Sequence, residues 1–119
     1  MIIPAKWLAE ACVQDFRPAP TQLGFRCDEQ HKLIALSDIE APLRISGYSL
    51  DANGFRHDRM VSVLTGIRDN VSLPAIRIEM ADPGQRQYRV REGAHRYHAS
   101  LALGFSHIPA EIVEHPSRA

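Results

Sequence analysis

Two glycines, Gly93 and Gly104, constrain this chain more than any other feature. Residues 88–113 read YRVREGAHRYHASLALGFSHIPAEIV. Tyr88 and Val90 alternate with Arg89 and Arg91, which is the two-residue period of a strand. The alanine-rich stretch after Gly93 has the composition of a helix. Gly104 stands just past its last apolar turn, where a C-terminal cap belongs. HIPAEIV then reads as a closing strand, and Pro109 predicts an edge strand or a strand start. A strand, a helix and a second strand in so short a span leave the helix one choice, to pack back on a sheet.

The rest of the chain supplies the partners for that unit. From Ala5 to Phe16, the residues Trp7, Leu8, Ala11, Cys12 and Phe16 share one helical face, with Pro4 acceptable in the first turn. Pro18 and Pro20 end that helix. Residues 1–31 are therefore read as a helical extension, docked on the core or on a partner chain, and residues 32–119 as the domain proper. Leu33 to Leu36 is long enough for a strand, and Asn53-Gly54 signals a turn. Met60, Leu64, Ile67 and Val71 then recur at helical spacing, with Asp58 as the expected cap. In LPAIRIEM, Ile76, Ile78 and Met80 are predicted to point inward and Arg77 and Glu79 outward. The ADPGQRQ turn closes a hairpin with residues 88–91. The fold class expected is a small α+β domain: a mixed sheet with helices packed on it, plus the N-terminal helix.

Composition removes several functional classes. At 119 residues the chain suits one modest core. Its 14 Lys and Arg balance 14 Asp and Glu, so there is no general basic excess of the kind that nucleic-acid or membrane binding usually leaves. Lysine occurs only at positions 6 and 32, so the cationic side chains are almost all arginine, whose planar fork suits phosphate and carboxylate. Cys12 and Cys27 have no metal-ligand spacing and are expected as buried thiols. The N-terminus lacks the apolar run of a signal peptide or membrane span, and a cytoplasmic location is expected.

Chemistry concentrates at Glu92-Gly93-Ala94-His95-Arg96. A strand that turns through glycine into a helix presents unpaired amides and the positive end of the helix dipole, which together attract anions. His95 and Arg96 add side-chain donors, and an arginine fork grips two phosphate oxygens. The competing reading is that Gly93 only makes the turn while His95 and Arg96 sit on a solvated first turn. His95 and His98 lie three apart, as metal ligands sometimes do, but a third ligand is not evident and no metal site is expected.

The same residues resemble a known superfamily. YRVREGAHRYHASLALGFSHIPAEIV is similar to the signature of ParB/sulfiredoxin proteins: a strand, a Gly-x-x-Arg turn, an alanine-rich helix, a glycine and an Ile-Pro strand. LIALSDIEAPLR resembles the first strand and loop of that superfamily, and RHDRMVSVLTGIRDNVSLPAIRIE its middle helix and second strand. The resemblance covers about residues 32 to 114. Sulfiredoxins read Gly-Cys-His-Arg where this chain has Gly93-Ala94-His95-Arg96, and Ala94 cannot serve as the nucleophile that sulfiredoxin chemistry needs. Sulfiredoxin reductase activity is thus not expected. Nucleotide binding depends less on that cysteine. The resemblance implies that Arg59 and Ser62 face phosphate or ribose, while Gly66 and Ala41 replace an expected threonine and arginine, and Arg44 is the substitute for the latter.

ParB-type members carry Gly-Glu-Arg-Arg at this turn and bind CTP; this chain keeps only the last arginine, as Arg96, and lacks the length for a helix-turn-helix domain. Some relatives phosphorylate amino acids with carboxylates near the turn, where Glu92 stands here. The resulting expectation is a nucleotide- or phosphate-binding domain. Gly93 allows close approach of the ligand, Ala94, His95 and Arg96 hold phosphate, His95 donates a hydrogen bond, and Arg59, Ser62 and Arg44 line the pocket. If chemistry follows binding, phosphoryl transfer or nucleotide hydrolysis is expected, using ATP or CTP with Mg2+ and Glu92 and His95 as candidate catalytic groups. The alternative is a non-enzymatic module that associates with DNA, with a protein partner or with a second copy of the chain.

Overall fold

A computed structural model describes residues 3–42, 55–81 and 87–113. The elements run α1 (Ala5–Glu10), β1 (Lys32–Ala35), a short 3₁₀ turn (Leu36–Asp38), β2 (Ile39–Glu40), α2 (His57–Arg68), β3 (Ile76–Met80), β4 (Tyr88–Glu92), α3 (Ala94–Leu103) and β5 (His107–Ile112). The five strands form one mixed sheet in the order β1-β5-β3-β4-β2. β5 pairs antiparallel with β1 and parallel with β3, β3 and β4 form the antiparallel hairpin, and β2 lies parallel to β4. This is the expected α+β class, with α3 against β3 and β5, α2 against α3, and α1 against α2.

The core follows the apolar spacing. Met60, Leu64 and Ile67 of α2 meet Tyr97, Ala99 and Leu103 of α3 over Ile76, Ile78, Ile108 and Ala110 of the sheet. Ile3, Trp7, Ala11, Val13 and Phe25 belong to the same cluster, so the N-terminal extension docks on this chain's own core. Gly104 caps α3 with φ 90°, as its position predicted. Among the described residues no helix is long and apolar enough to cross a membrane.

Several local expectations are corrected. The first helix stops at Glu10 rather than Phe16, because Cys12 takes a positive φ of 57° that no helix accommodates. That turn leaves Cys12 exposed instead of buried. Asp58 lies inside the first turn of α2, where it accepts from His57; the cap position is Arg56. α2 ends at Arg68, with Asn70 at φ 55°, so Val71 leaves the helical face and is exposed. In β3 Glu79 is buried, with Arg91 Nε of β4 3.7 Å from its carboxylate, and Met80 is exposed. The register shift opposite Arg77 and Ile78 places the extra residue, Arg91, in β4, so the alternation of β3 continues through it. Asn53-Gly54, and residues 82–86 of the hairpin turn, lie outside the described residues.

Pro109 sits in the interior of the sheet rather than at an edge. Leu36 N–H bonds Ser106 C=O, so with a period of two the β1-facing rungs fall on Ile34 with Ile108 and Lys32 with Ala110. Residue 109 therefore directs its missing N–H toward β3. There Val113 N–H bonds Ile78 C=O, the next rung is Glu111 to Ile76, and the one after it is residue 109 to Pro74. β3 itself begins only at Ile76, so the proline falls just beyond the last rung that the ladder needs.

Candidate functional site

The structure opens a cleft of about 540 Å³ where three segments meet. Arg56, Arg59 and Val63 come from the start of α2, Leu73 and Pro74 from the approach to β3, and Glu92 to Arg96 from the β4–α3 turn. Among the described residues of the lining, three arginines stand against one glutamate, a positive balance in a chain that is neutral as a whole.

The turn is built around Gly93, at φ 117° and ψ 29°. A side chain there would fail twice. Its Cβ would lie 2.4 Å from Ile76 Cγ2, 2.7 Å from Ile76 Cβ and 3.1 Å from an Arg96 nitrogen. The dihedral angles are also ones that only glycine adopts readily. Close packing on β3 is thus the immediate reason for this glycine. Gly93 C=O accepts from Tyr97 N–H at 2.9 Å, closing the first turn of α3. The amides of Ala94, His95 and Arg96 precede that bond and have no intrahelical acceptor.

His95 and Arg56 join the two charged walls. The Arg56 backbone N–H donates to His95 Nε2 over 3.0 Å. A backbone amide only donates, so Nε2 is the unprotonated nitrogen and the ring is neutral, with its proton on Nδ1. Phe55 fixes the ring from the side, edge-on at 5.5 Å, and meets buried His98 in the same way at 5.1 Å. The two histidines therefore share a face, as their spacing predicted. Among the described residues, no three His, Cys, Asp or Glu side chains gather as a metal site.

Arg96 is half-buried, not the exposed residue its place on a first helical turn suggested. Its Nη1 donates to Pro74 C=O at 2.9 Å. That carbonyl is the one left without a ladder donor by Pro109, so Arg96 supplies what the proline cannot. Burial pushes the Arg96 guanidinium below the ordinary arginine value; Glu92 opposes this and the nearby positive charge of Arg59 adds to it.

Glu92, Gly93, Ala94, His95, Arg96 and Arg59 all line this one cleft. Ser62 is exposed on α2 and is not among the lining residues. Arg44 lies outside the described residues. Gly66 packs toward Leu73, where an added Cβ would come within 3.3 Å of Leu73 Cδ2, so that wall is apolar.

Sequence reasoning missed Arg56 and the role of residues 26–29. Nothing in the local pattern of Arg56 marks it, because its contribution arises only when α2 and α3 meet. Residues 26–29 clamp the cleft wall from behind: Arg26 C=O accepts from Leu73 N–H, Asp28 N–H donates to Ser72 Oγ, and Glu29 Oε1 accepts from Ala75 N–H. Cys27 lies in this clamp, and burial raises its thiol above the ordinary cysteine value.

No family model matches the chain, and no curated protein matches it. Among solved structures, the crystal structure of sulfiredoxin from Arabidopsis thaliana is similar, with a TM-score of 0.53 and 23% sequence identity. The match covers 73% of this chain and 88% of that one. It shows a sulfiredoxin-like fold, consistent with the strand, turn and helix order read from residues 88–113.

Proposed function

We propose that this protein binds a phosphate-bearing small molecule, most simply a nucleotide, in the cleft between α2 and the β4–α3 turn. The observation that carries the reading is the convergence of Arg56, Arg59 and Arg96 on the amino end of α3. Helix amides and arginine forks both favour anions, and a partly enclosed cleft strengthens each of them relative to open water. Val63, Leu73 and Pro74 provide an apolar surface beside the charged end, the combination that small-molecule sites use. Arg59 and Arg56 are the main side-chain cations for the ligand, since Arg96 has one nitrogen committed to Pro74.

Ala94 stands where sulfiredoxins carry cysteine, so the reading includes no thiol chemistry. Glu92 is the carboxylate among the described residues of the lining, and a Mg2+ ion arriving with a nucleotide would use it together with phosphate oxygens, the usual Mg2+ ligand set. Phosphoryl transfer or hydrolysis belongs to this proposal as the chemistry such an arrangement supports. The test is calorimetric titration with ATP, with CTP and with duplex DNA, each with and without Mg2+. A nucleotide is expected to bind, and Arg59→Ala to weaken it about tenfold or more, the ordinary worth of a charge-assisted hydrogen bond. Absence of heat with both nucleotides, or salt-sensitive DNA binding alone, would refute the proposal.

A further inference from the structure

Histidine in an anion cleft is ordinarily assigned to donate to the anion, and to bind it best when protonated. The geometry points to the opposite role here: we infer that His95 is a positioning residue that works as a neutral acceptor, tying the start of α2 to the start of α3. This inference rests on the anion-binding reading of the cleft. His95 Nε2 takes the Arg56 amide proton at 3.0 Å, and Arg56 begins the stretch that carries Arg59 into the lining. Phe55, buried just before Arg56, holds the ring edge-on and also contacts His98. Protonation of Nε2 would set two donors against each other, and the link between the walls would open. Among the described residues, the charged groups that line the cleft with His95 are Arg56, just before α2, Arg59 from α2, Glu92 from β4 and Arg96 from α3, while His98 meets the same Phe55 ring. Beyond Arg56 on α2, His57 pairs with Glu10 and Asp58. Three of these four described cleft groups are arginines, which an imidazolium would repel.

The inference inverts the usual ranking of substitutions. Glutamine keeps a neutral acceptor at similar reach but cannot become a cation, whereas lysine keeps a cation and donors but cannot accept. Sulfate is a suitable probe, because it remains a dianion from pH 5 to 8. For His95→Gln, sulfate affinity is expected within about twofold of wild type; for His95→Lys, about fivefold weaker or worse, the loss of one hydrogen bond and its geometry. Thermal unfolding confirms that each variant is folded. Histidine ¹⁵N NMR at pH 8 is expected to show the proton on Nδ1 of His95, and the Arg56 amide shift to follow the His95 titration. Sulfate binding that is retained in His95→Lys and lost in His95→Gln would overturn the inference while leaving an anion site. A proton on Nε2 would overturn it regardless of ligand. No sulfate binding at any pH would sink the anion-binding reading, and the NMR result alone would then decide whether His95 ties the two helices.

Discussion

Gly93→Ala tests whether the turn at the cleft is set by packing as well as by backbone freedom. Two costs add at this position. Holding a non-glycine residue in a sparsely populated backbone region costs about 1–3 kcal/mol. The new methyl also meets Ile76 at 2.4 and 2.7 Å, contacts that force movement of a fully buried side chain. Overpacking of that kind costs about 1–3 kcal/mol more. The sum, centred near 4 kcal/mol, is a large part of the roughly 5–15 kcal/mol that holds such a domain together. For a chain of this length it corresponds to a fall in Tm of about 15 °C. Gly104→Ala is the internal control. Gly104 also has positive φ, at 90°, but its added Cβ finds only Pro18 Cδ at 3.8 Å, an ordinary contact. It should therefore cost the backbone part alone, about 1–2 kcal/mol. Urea and thermal unfolding followed by circular dichroism measure both. Equal losses at the two glycines would refute the claim that Ile76 dictates Gly93.

Three further outcomes follow from the same contacts. Arg96→Ala leaves the exposed Pro74 C=O to water and should cost about 1 kcal/mol in urea unfolding as well as weakening any anion; unchanged stability would show that the Pro74 bond contributes nothing. Glu29→Ala removes the acceptor of Ala75 N–H and should cost about 1 kcal/mol, with faster amide exchange at Leu73 and Ala75; unaltered exchange would dismiss the clamp. His57 is raised above the ordinary histidine value, chiefly by its hydrogen bond to Glu10, with a smaller contribution from Asp58. Its folded value exceeds its unfolded one, so the stabilisation is complete below about pH 6.5 and disappears as pH rises through the raised value. The stability gap between wild type and His57→Gln should then shrink from pH 6 to pH 9, and a gap that widens would contradict the assignment.

How much of this was legible in the sequence depended on whether the cause was local. The strand, turn and helix around Gly93 and the cap at Gly104 were readable, because alternation, glycine and apolar spacing all act within a few residues. Arg59, Glu92 and the Gly93 to Arg96 turn could be gathered into one site because the resemblance supplied the long-range pairing. Glu79 was misread because its burial arises across the sheet, where Arg91 of β4 lies 3.7 Å from its carboxylate, and a strand's own alternation carries no sign of that. Helix α1 was overextended because the chain turns at Cys12, at φ 57°, without a glycine or proline to mark it, while Val13 and Phe16 still pack on the core. Arg56 was invisible for a similar reason: its amide acquires meaning only from a histidine 39 positions away.

Arg96 shows why a motif residue cannot be given a single role. A proline inside a sheet leaves a neighbouring carbonyl without its ladder donor, and that carbonyl must find another donor or water. Here Pro109 is fully buried, its rung points at Pro74, and the Arg96 guanidinium fills the place from the opposite element. One hydrogen bond therefore ties the Gly-x-x-Arg turn to Pro74, on the approach to β3, at the place where the Ile-Pro strand offers no donor. An arginine held in this way orients the turn's amides before any ligand arrives. The freer positive charge is left to Arg56 and Arg59, on a different helix across the cleft. That separation gives the cleft one wall tied to the sheet by Arg96 and another, packed on α3 through Met60 and Leu64, that the Arg56–His95 hydrogen bond joins to the turn.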